Sequence, residues 1–108
     1  NIYKISMKNK EIVGSIADIN GERQYKVTFE KNGYEQEIWV NLYEYIGFRV
    51  KTIQKLNEIS TNQLAEKCGF SNPTIISRVK AGKHAFQIDT IYRLCMGLGC
   101  KSSDILPF

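Results

Sequence analysis

The chain has 108 residues, of which 43% are apolar and 24% are charged, and its formal net charge is +4. This size fits one domain, or a small domain with an appendage, and the composition is that of a globular protein. No apolar run approaches the roughly 20 residues of a membrane-spanning helix, and residues 1–10 lack the apolar core of a signal peptide. We therefore expect a cytoplasmic protein with no membrane partner.

The basic residues are concentrated in the second part of the chain. Residues 1–46 carry six Lys or Arg and seven Asp or Glu, a net charge of −1. Residues 47–108 carry nine Lys or Arg and four Asp or Glu, a net charge of +5. Such an excess favours a polyanionic partner for the second part, although many basic surfaces are simply hydrated.

The cysteines do not form a metal-binding pattern. Cys68, Cys95 and Cys100 are an odd number, none belongs to a C-x-x-C pair, and His84 is the only histidine in the sequence. A structural zinc site needs about four such ligands. We predict reduced thiols, as in cytosolic proteins, with no metal and no cofactor.

Residues 1–41 have the period of a β-sheet. The run RQYKVTFE, residues 23–30, alternates apolar and polar side chains, and EIVGSIADI precedes it. Asn20-Gly21 lies between the two runs and is a strong hairpin signal, because both turn residues need positive φ. A second turn leads from there into YEQEIWV. We predict an antiparallel meander with strands at residues 11–19, 24–30 and 34–40, or with four strands if residues 2–6 add another.

From about Leu42 the apolar residues recur at helical spacing instead. The first helix carries the apolar positions Ile46, Val50, Ile53 and Leu56. Ser60 and Gln63 have the spacing of a capping box for a second helix, which is predicted to run to about Lys67 and to end at Gly69.

A third helix is predicted at residues 73–81, with Asn72 as its cap, Pro73 at its first position and Gly82 as its end. Asp89 is expected to cap a fourth helix, and SSDIL to form a short fifth one. The predicted fold is therefore α+β. A β-meander at residues 1–41 precedes a five-helix unit with helix-turn-helix geometry at residues 42–108.

The third helix has an unusual outward face. Ile76 and Val79 point inward, whereas the small, polar or basic residues of the helix point outward or along its flanks: Thr74, Ser77, Arg78 and Ala81. No carboxylate lies between Glu66 and Asp89. A helix that enters a major groove needs slim side chains, hydrogen-bonding groups for base edges and basic residues for phosphates. The face matches those requirements.

The segments NQLAEKCGFS, IISRVKAGK and DTIYRLCMGLGCKSSDIL resemble the lambda-repressor/Cro (xenobiotic-response-element) helix-turn-helix family. The resemblance covers about residues 46–106. It implies a sequence-specific, double-stranded-DNA-binding transcriptional regulator, a repressor of bacterial, phage or mobile-element origin.

There are departures from the family pattern. The interval from Gly69 to Gly82 is one residue longer, Thr61 replaces the usual Gln of the second helix, and Gln54 replaces a common Arg of the first.

The resemblance implies DNA contacts in three places. Ser71, Asn72 and Thr74 begin the recognition helix, with Ser77 and Arg78 at its middle. The second helix contributes its first residues, Thr61 and Asn62, with Gln63 as an alternative for the phosphate role. Phosphate contacts are expected at Lys80 and Lys83.

Plainer roles stay open for these residues. Asn72 can be a helix cap only, Arg78 a partner in a surface ion pair, and Lys80 and Lys83 solubilising lysines. Ile75 is either a core residue or an apolar contact for a thymine methyl group.

The family is compact without a sheet, so the role of the meander stays open between bracing the first helix, forming a homodimer and binding another protein. We expect a homodimer on a palindromic operator, because paired recognition helices read half-sites about 34 Å apart.

The competing interpretation is a protein-interaction module, such as an antitoxin or a phage protein that inhibits a host protein. No catalytic constellation is present in the sequence, since Glu35 and Glu37 are more readily explained as hydrated residues of a strand.

Overall fold

The computed structural model describes residues 15–19, 21–83 and 86–108. The strands are β1 (Ser15–Ile19), β2 (Glu22–Lys31) and β3 (Tyr34–Val40). The helices are α1 (Leu42–Leu56), α2 (Thr61–Cys68), α3 (Thr74–Ala81), α4 (Ile88–Leu98) and α5 (Ser102–Ile105). The predicted α+β class, with antiparallel strands before helices, is confirmed. The strand considered at residues 2–6 and the predicted start of the first strand at residues 11–14 lie outside the described residues.

The strands form an antiparallel sheet in the order β1-β2-β3. Gly21, in the turn between β1 and β2, has a φ of 78°, which a residue with a side chain rarely adopts. In the β2–β3 ladder Val27 lies opposite Ile38, and Lys26 lies opposite Trp39. Val27 is buried, whereas Ile38 and Trp39 are both exposed. Much of the aromatic and apolar surface of β3 is therefore accessible.

The chain divides into two compact units, a strand unit that ends at Leu42 and a helical unit at Tyr43–Leu106. The core of the helical unit takes at least one fully buried aliphatic side chain from each helix, namely Val50, Leu64, Ile76, Val79, Leu94 and Ile105. Helices this short are marginal in isolation, so the shared core holds them in place.

The ends of the helices largely follow the predicted signals. The Ser60 hydroxyl accepts a hydrogen bond from the Gln63 N–H at 3.0 Å, and the Gln63 side chain accepts one from the Ser60 N–H at 2.8 Å. This capping box starts α2, and Gly69 ends it with a φ of 79°. The prediction for α4 was wrong, because the helix begins at Ile88 and Asp89 lies within its first turn. The Asp89 carboxylate instead accepts a hydrogen bond from Arg93, one turn further on, at 2.9 Å.

Candidate nucleic-acid interface

Helix α3 begins at Thr74, one residue later than its sequence predicts, and Pro73 rather than Asn72 occupies the cap position. The Asn72 side-chain oxygen still accepts a hydrogen bond from the Thr74 N–H at 2.9 Å, so it satisfies the first N–H of the helix. Pro73 already has helical angles, and its carbonyl accepts the first helical hydrogen bond, from the Ser77 N–H at 3.1 Å. The helix ends at Gly82, whose φ is 68°. Both ends of α3 are therefore fixed by local chemistry.

The two faces of α3 differ sharply. Ile76 and Val79 are buried in the core of the helical unit. The exposed residues of the helix are spaced by three and four positions and so form one stripe: Thr74, Ser77, Arg78 and Ala81. We call these four residues the α3 stripe. Ile75 is half-buried, between these two faces.

The α3 stripe is uniformly non-acidic. Residues 67–88 contain no Asp or Glu, and they include Arg78, Lys80 and Lys83. Lys83 is exposed just beyond the end of α3, and Arg78 is exposed at its middle. This segment therefore presents positive charge beside small polar side chains.

The start of α2 is joined to the end of α3 by a hydrogen-bonded cluster. Lys80 Nζ donates to Gln54 Oε1 and to Thr61 Oγ1, each at 3.0 Å. Gln54 Nε2 donates to the Ile59 carbonyl oxygen at 3.0 Å and to Thr61 Oγ1 at 3.3 Å. We call Gln54, Thr61 and Lys80 the polar cluster.

The polar cluster is partly withdrawn from water. Gln54 is only 8% exposed and Lys80 is half-buried. Burial lowers the pKa of Lys80 below its ordinary value, and the nearby charge of Lys51 acts in the same direction. Of the two lysines expected to touch phosphates, Lys80 thus has protein partners, whereas Lys83 is exposed.

A groove lies between α2 and the turn that precedes α3. Its lining residues come from both sides: Asn62, Gln63, Ala65, Glu66, Phe70, Ser71, Asn72 and Pro73. Three of the residues predicted to contact DNA, Asn62, Ser71 and Asn72, are therefore brought together here. Glu66 adds a carboxylate to the same groove, which the sequence did not indicate.

Arg93 of α4 supports the turn between α2 and α3. Its Nη1 donates to the Gly69 carbonyl oxygen at 3.0 Å, and its guanidinium group lies 5.8 Å from the centre of the Phe70 ring. Its Nε donates to Asp89 at 2.9 Å, so the side chain is held from two directions. No local pattern in the sequence indicates this contact, because 24 residues separate Arg93 from Gly69.

The sequence reasoning also missed the role of Gln54, although a signal for it was present. Gln54 follows Val50 by four residues, so it occupies an inward position of α1. A polar residue at such a position must find hydrogen-bond partners, because an unpaired buried amide is costly.

Among the described residues, no group of three or more His, Cys, Asp or Glu side chains is arranged to hold a metal ion. None of the described helices has the length and apolar character of a membrane span.

Comparison with solved structures gives three similar folds. The restriction-modification controller protein C.AhdI from Aeromonas hydrophila is 17% identical, with a TM-score of 0.56 over 59% of this chain and 96% of that one. The clp gene regulator ClgR from C. glutamicum is 19% identical, with a TM-score of 0.54 over 58% of this chain and 80% of that one. The hypothetical transcription factor NHTF from Neisseria is 20% identical, with a TM-score of 0.57 over 61% of this chain and 75% of that one. At these identities the likeness establishes the fold.

No curated protein sequence matches the chain. The family model of the Cro/C1-type HTH DNA-binding domain matches residues 49–108, more than half of the chain, which include α2, the turn and α3. The predicted resemblance is therefore confirmed, and the chain belongs to the family with a Cro/C1-type helix-turn-helix DNA-binding domain.

Proposed function

We propose that the protein is a sequence-specific transcriptional regulator that reads the major groove of double-stranded DNA with α3. The observation that carries this proposal is the α3 stripe, which is exposed along the whole helix and lies in a segment, residues 67–88, that contains basic residues and no Asp or Glu. We further propose that it is a cytoplasmic repressor of bacterial, phage or mobile-element origin. Two of the proteins with similar folds are a restriction-modification controller protein and a clp gene regulator, which supports a regulatory role.

Each predicted contact residue except Lys80 has a role in this proposal. Thr74, Ser77 and Arg78 lie in the α3 stripe and reach base edges, for which Arg78 has the geometry of a bidentate donor to guanine. Ser71 and Asn72 approach the DNA from the start of α3. Phosphate contacts come from Lys83 and from the first turn of α2, and the residues at that turn are Thr61 and Asn62.

The first turn of α2 suits a phosphate for two reasons. The N-terminus of a helix carries a partial positive charge and free N–H groups. In addition, Thr61 Oγ1 accepts hydrogen bonds from Lys80 and Gln54, so both of its lone pairs are used. Its own O–H hydrogen is then left to donate to an external acceptor such as a phosphate oxygen.

We propose that the protein binds a palindromic operator as a homodimer. Ile88, Tyr92 and Met96 are exposed on α4, and their spacing of four residues places them in one apolar stripe. The stripe is symmetric about Tyr92, so antiparallel packing of two copies places Ile88 against Met96 of the second copy. Such self-complementarity is what a two-fold interface requires.

For the whole chain we propose a meander of three or four strands at residues 1–41, followed by a five-helix DNA-binding domain at residues 42–108. The exposed Ile38 and Trp39 of β3 leave the meander with apolar surface for bracing, dimerisation or a protein partner. Of the exposed apolar surfaces, the stripe of Ile88, Tyr92 and Met96 on α4 is the one that we propose for the dimer.

The test is selection of bound sequences from a random pool of duplex DNA, followed by affinity measurements over a range of salt. A palindromic consensus, with log K falling by about 0.9 per neutralised phosphate for each unit of log salt, is expected. Weak binding without a consensus would refute the proposal. It would instead favour the protein-interaction module, such as an antitoxin or an inhibitor of a host protein.

A further inference from the structure

Lys80 is the one residue of the polar cluster whose expected role conflicts with its contacts. It was predicted to bind a phosphate, yet its ammonium group already donates to Gln54 Oε1 and Thr61 Oγ1 at 3.0 Å. An ammonium group has three hydrogens, so two are engaged within the protein. One hydrogen remains, but Lys80 is half-buried, so it is less accessible to an external phosphate than the exposed Lys83.

The contacts of Lys80 determine what Thr61 can do. An ammonium group and an amide N–H₂ group can only donate, so Thr61 Oγ1 must accept from both Lys80 and Gln54. A hydroxyl with two accepted bonds has one remaining capability, which is to donate. Within residues 15–19, 21–83 and 86–108, the structure gives this hydrogen no acceptor. The polar cluster therefore leaves the hydroxyl of Thr61, the half-buried first residue of α2, with only the ability to donate.

The same contacts connect three helices. Lys80 lies in the last turn of α3, Thr61 begins α2 and Gln54 is on α1. The Gln54 amide is itself held by the Ile59 carbonyl oxygen, just before α2. The Lys80 side chain thus connects the end of α3 to the start of α2 and to α1.

We propose that Lys80 is a positioning residue that acts through Thr61, holding its hydroxyl toward the DNA backbone and setting the spacing between the start of α2 and the end of α3. This inference rests on the proposed DNA-binding function. Lys83, which is exposed and lies three residues further on, is the phosphate-binding lysine.

Salt dependence separates the two roles. A lysine that neutralises a phosphate releases a counterion, and its removal lowers the salt slope of log K by about 0.9. A lysine that orients a neutral hydroxyl releases none. The experiment therefore measures the affinity of Lys80→Met and Lys83→Met for the selected operator at several salt concentrations. We expect Lys80→Met to weaken binding by about 2- to 10-fold, the range for one hydrogen bond, with the slope retained. Lys83→Met should lose about 0.9 of the slope.

Two further variants complete the test. Thr61→Val removes the hydroxyl at constant shape, and Lys80→Met should then cause no further loss of affinity. Lys80→Arg keeps the charge but not the compact ammonium geometry, so a positioning role predicts that Lys80→Arg binds as weakly as Lys80→Met. A phosphate-binding role predicts instead that Lys80→Arg largely keeps the affinity of the unmodified chain. Circular dichroism verifies that each variant is folded.

A slope that falls by about 0.9 in Lys80→Met, with additive effects of Lys80→Met and Thr61→Val, would overturn the inference. Failure of the unmodified chain to bind DNA with salt dependence would reject the proposed function itself. In that case urea unfolding of the same single and double variants still measures the coupling between Lys80 and Thr61. Absence of coupling there would overturn the positioning role as well.

Discussion

Gly47 on α1 lies against the carbonyl oxygen of Val79 on α3, with no room between them for a side chain. A β-carbon at position 47 would also lie 3.0 Å from the Lys80 carbonyl oxygen, which is tighter than ordinary van der Waals contact. Neither neighbour can move independently, because both are backbone atoms of the last turn of α3. The absence of a side chain at Gly47 thus sets how closely α1 approaches the helix that carries the α3 stripe.

Gly47→Ala should destabilise the protein even though alanine is the better helix former. Helix propensity favours alanine by about 1 kcal/mol, whereas overpacking against a fixed backbone costs about 1–3 kcal/mol or more when no side chain can yield. We expect a lower free energy of unfolding in urea titrations. Lys55→Ala, an exposed substitution on the same helix, is the control and should change stability little. An equally stable or more stable Gly47→Ala would contradict the close approach.

Ser60 and Lys80 illustrate which contacts the sequence could predict, because the contacts of Ser60 are local in the sequence and those of Lys80 are not. The capping box at Ser60, the helix end at Gly69 and the buried pair Ile76 and Val79 depend on residues within one helix turn or two. Their spacing in the sequence therefore carries the information. The same holds for the exposed stripe of α3 and for the antiparallel strands.

Contacts between residues that are far apart in the sequence have no such spacing pattern. Lys80 meets Gln54 across 26 residues, and its position next to Lys83 in a basic run made both look like phosphate ligands. The prediction that Asp89 caps α4 failed for a different reason. An acidic residue is favoured in the first turn of a helix as well as at its cap. Inside that first turn, Asp89 forms an i,i+4 ion pair with Arg93. The family match of residues 49–108 identifies the domain but does not decide such pairings.

Arg78→Ala should weaken specific DNA binding by about 1–3 kcal/mol and relax base preference at one position of the operator. Arg78 is exposed on the α3 stripe, so its loss leaves the buried core unchanged. Fluorescence anisotropy with the selected operator and with single-base variants measures both effects. Lys31→Ala, which removes the same charge from the strand unit, is the matched control and should bind normally. Unaltered affinity of Arg78→Ala would show that Arg78 does not read a base.

Tyr92→Glu should convert a dimer into a monomer if the apolar stripe of α4 forms the two-fold interface. The substitution places a charge where Tyr92 of one copy would face Tyr92 of the other, and like charges within a contact disfavour it. Sedimentation velocity over a range of protein concentrations measures the change. Ser103→Glu adds the same charge at an exposed position of α5 and should leave the association state unaltered. A dimer that persists in Tyr92→Glu but disappears on deletion of residues 1–40 would place the interface in the meander.

The Cys100 thiol should be almost inert at neutral pH in the folded protein. Burial raises its pKa to about 12, and Cys95 and Asp104 act in the same direction. The thiolate is the nucleophile, so iodoacetamide should modify Cys100 at about pH 8 at least about 100-fold more slowly in the native protein than in urea. Mass spectrometry of the labelled peptides measures this rate. Equal rates in the two states would show that the half-buried Cys100 thiol is not kept protonated in the folded protein.

The same pKa shift has a consequence for stability at alkaline pH. In the unfolded chain the Cys100 thiol loses its proton near its ordinary pKa of 9.0, whereas in the folded protein it keeps the proton up to about pH 12. The unfolded state therefore binds fewer protons between these values, and the free energy of unfolding must fall as the pH rises through this window. Cys100→Ala removes this contribution. We expect urea titrations from about pH 8 to about pH 11 to show a shallower loss of stability in Cys100→Ala than in the unmodified chain, and parallel curves would show that the thiol is not protonated by burial.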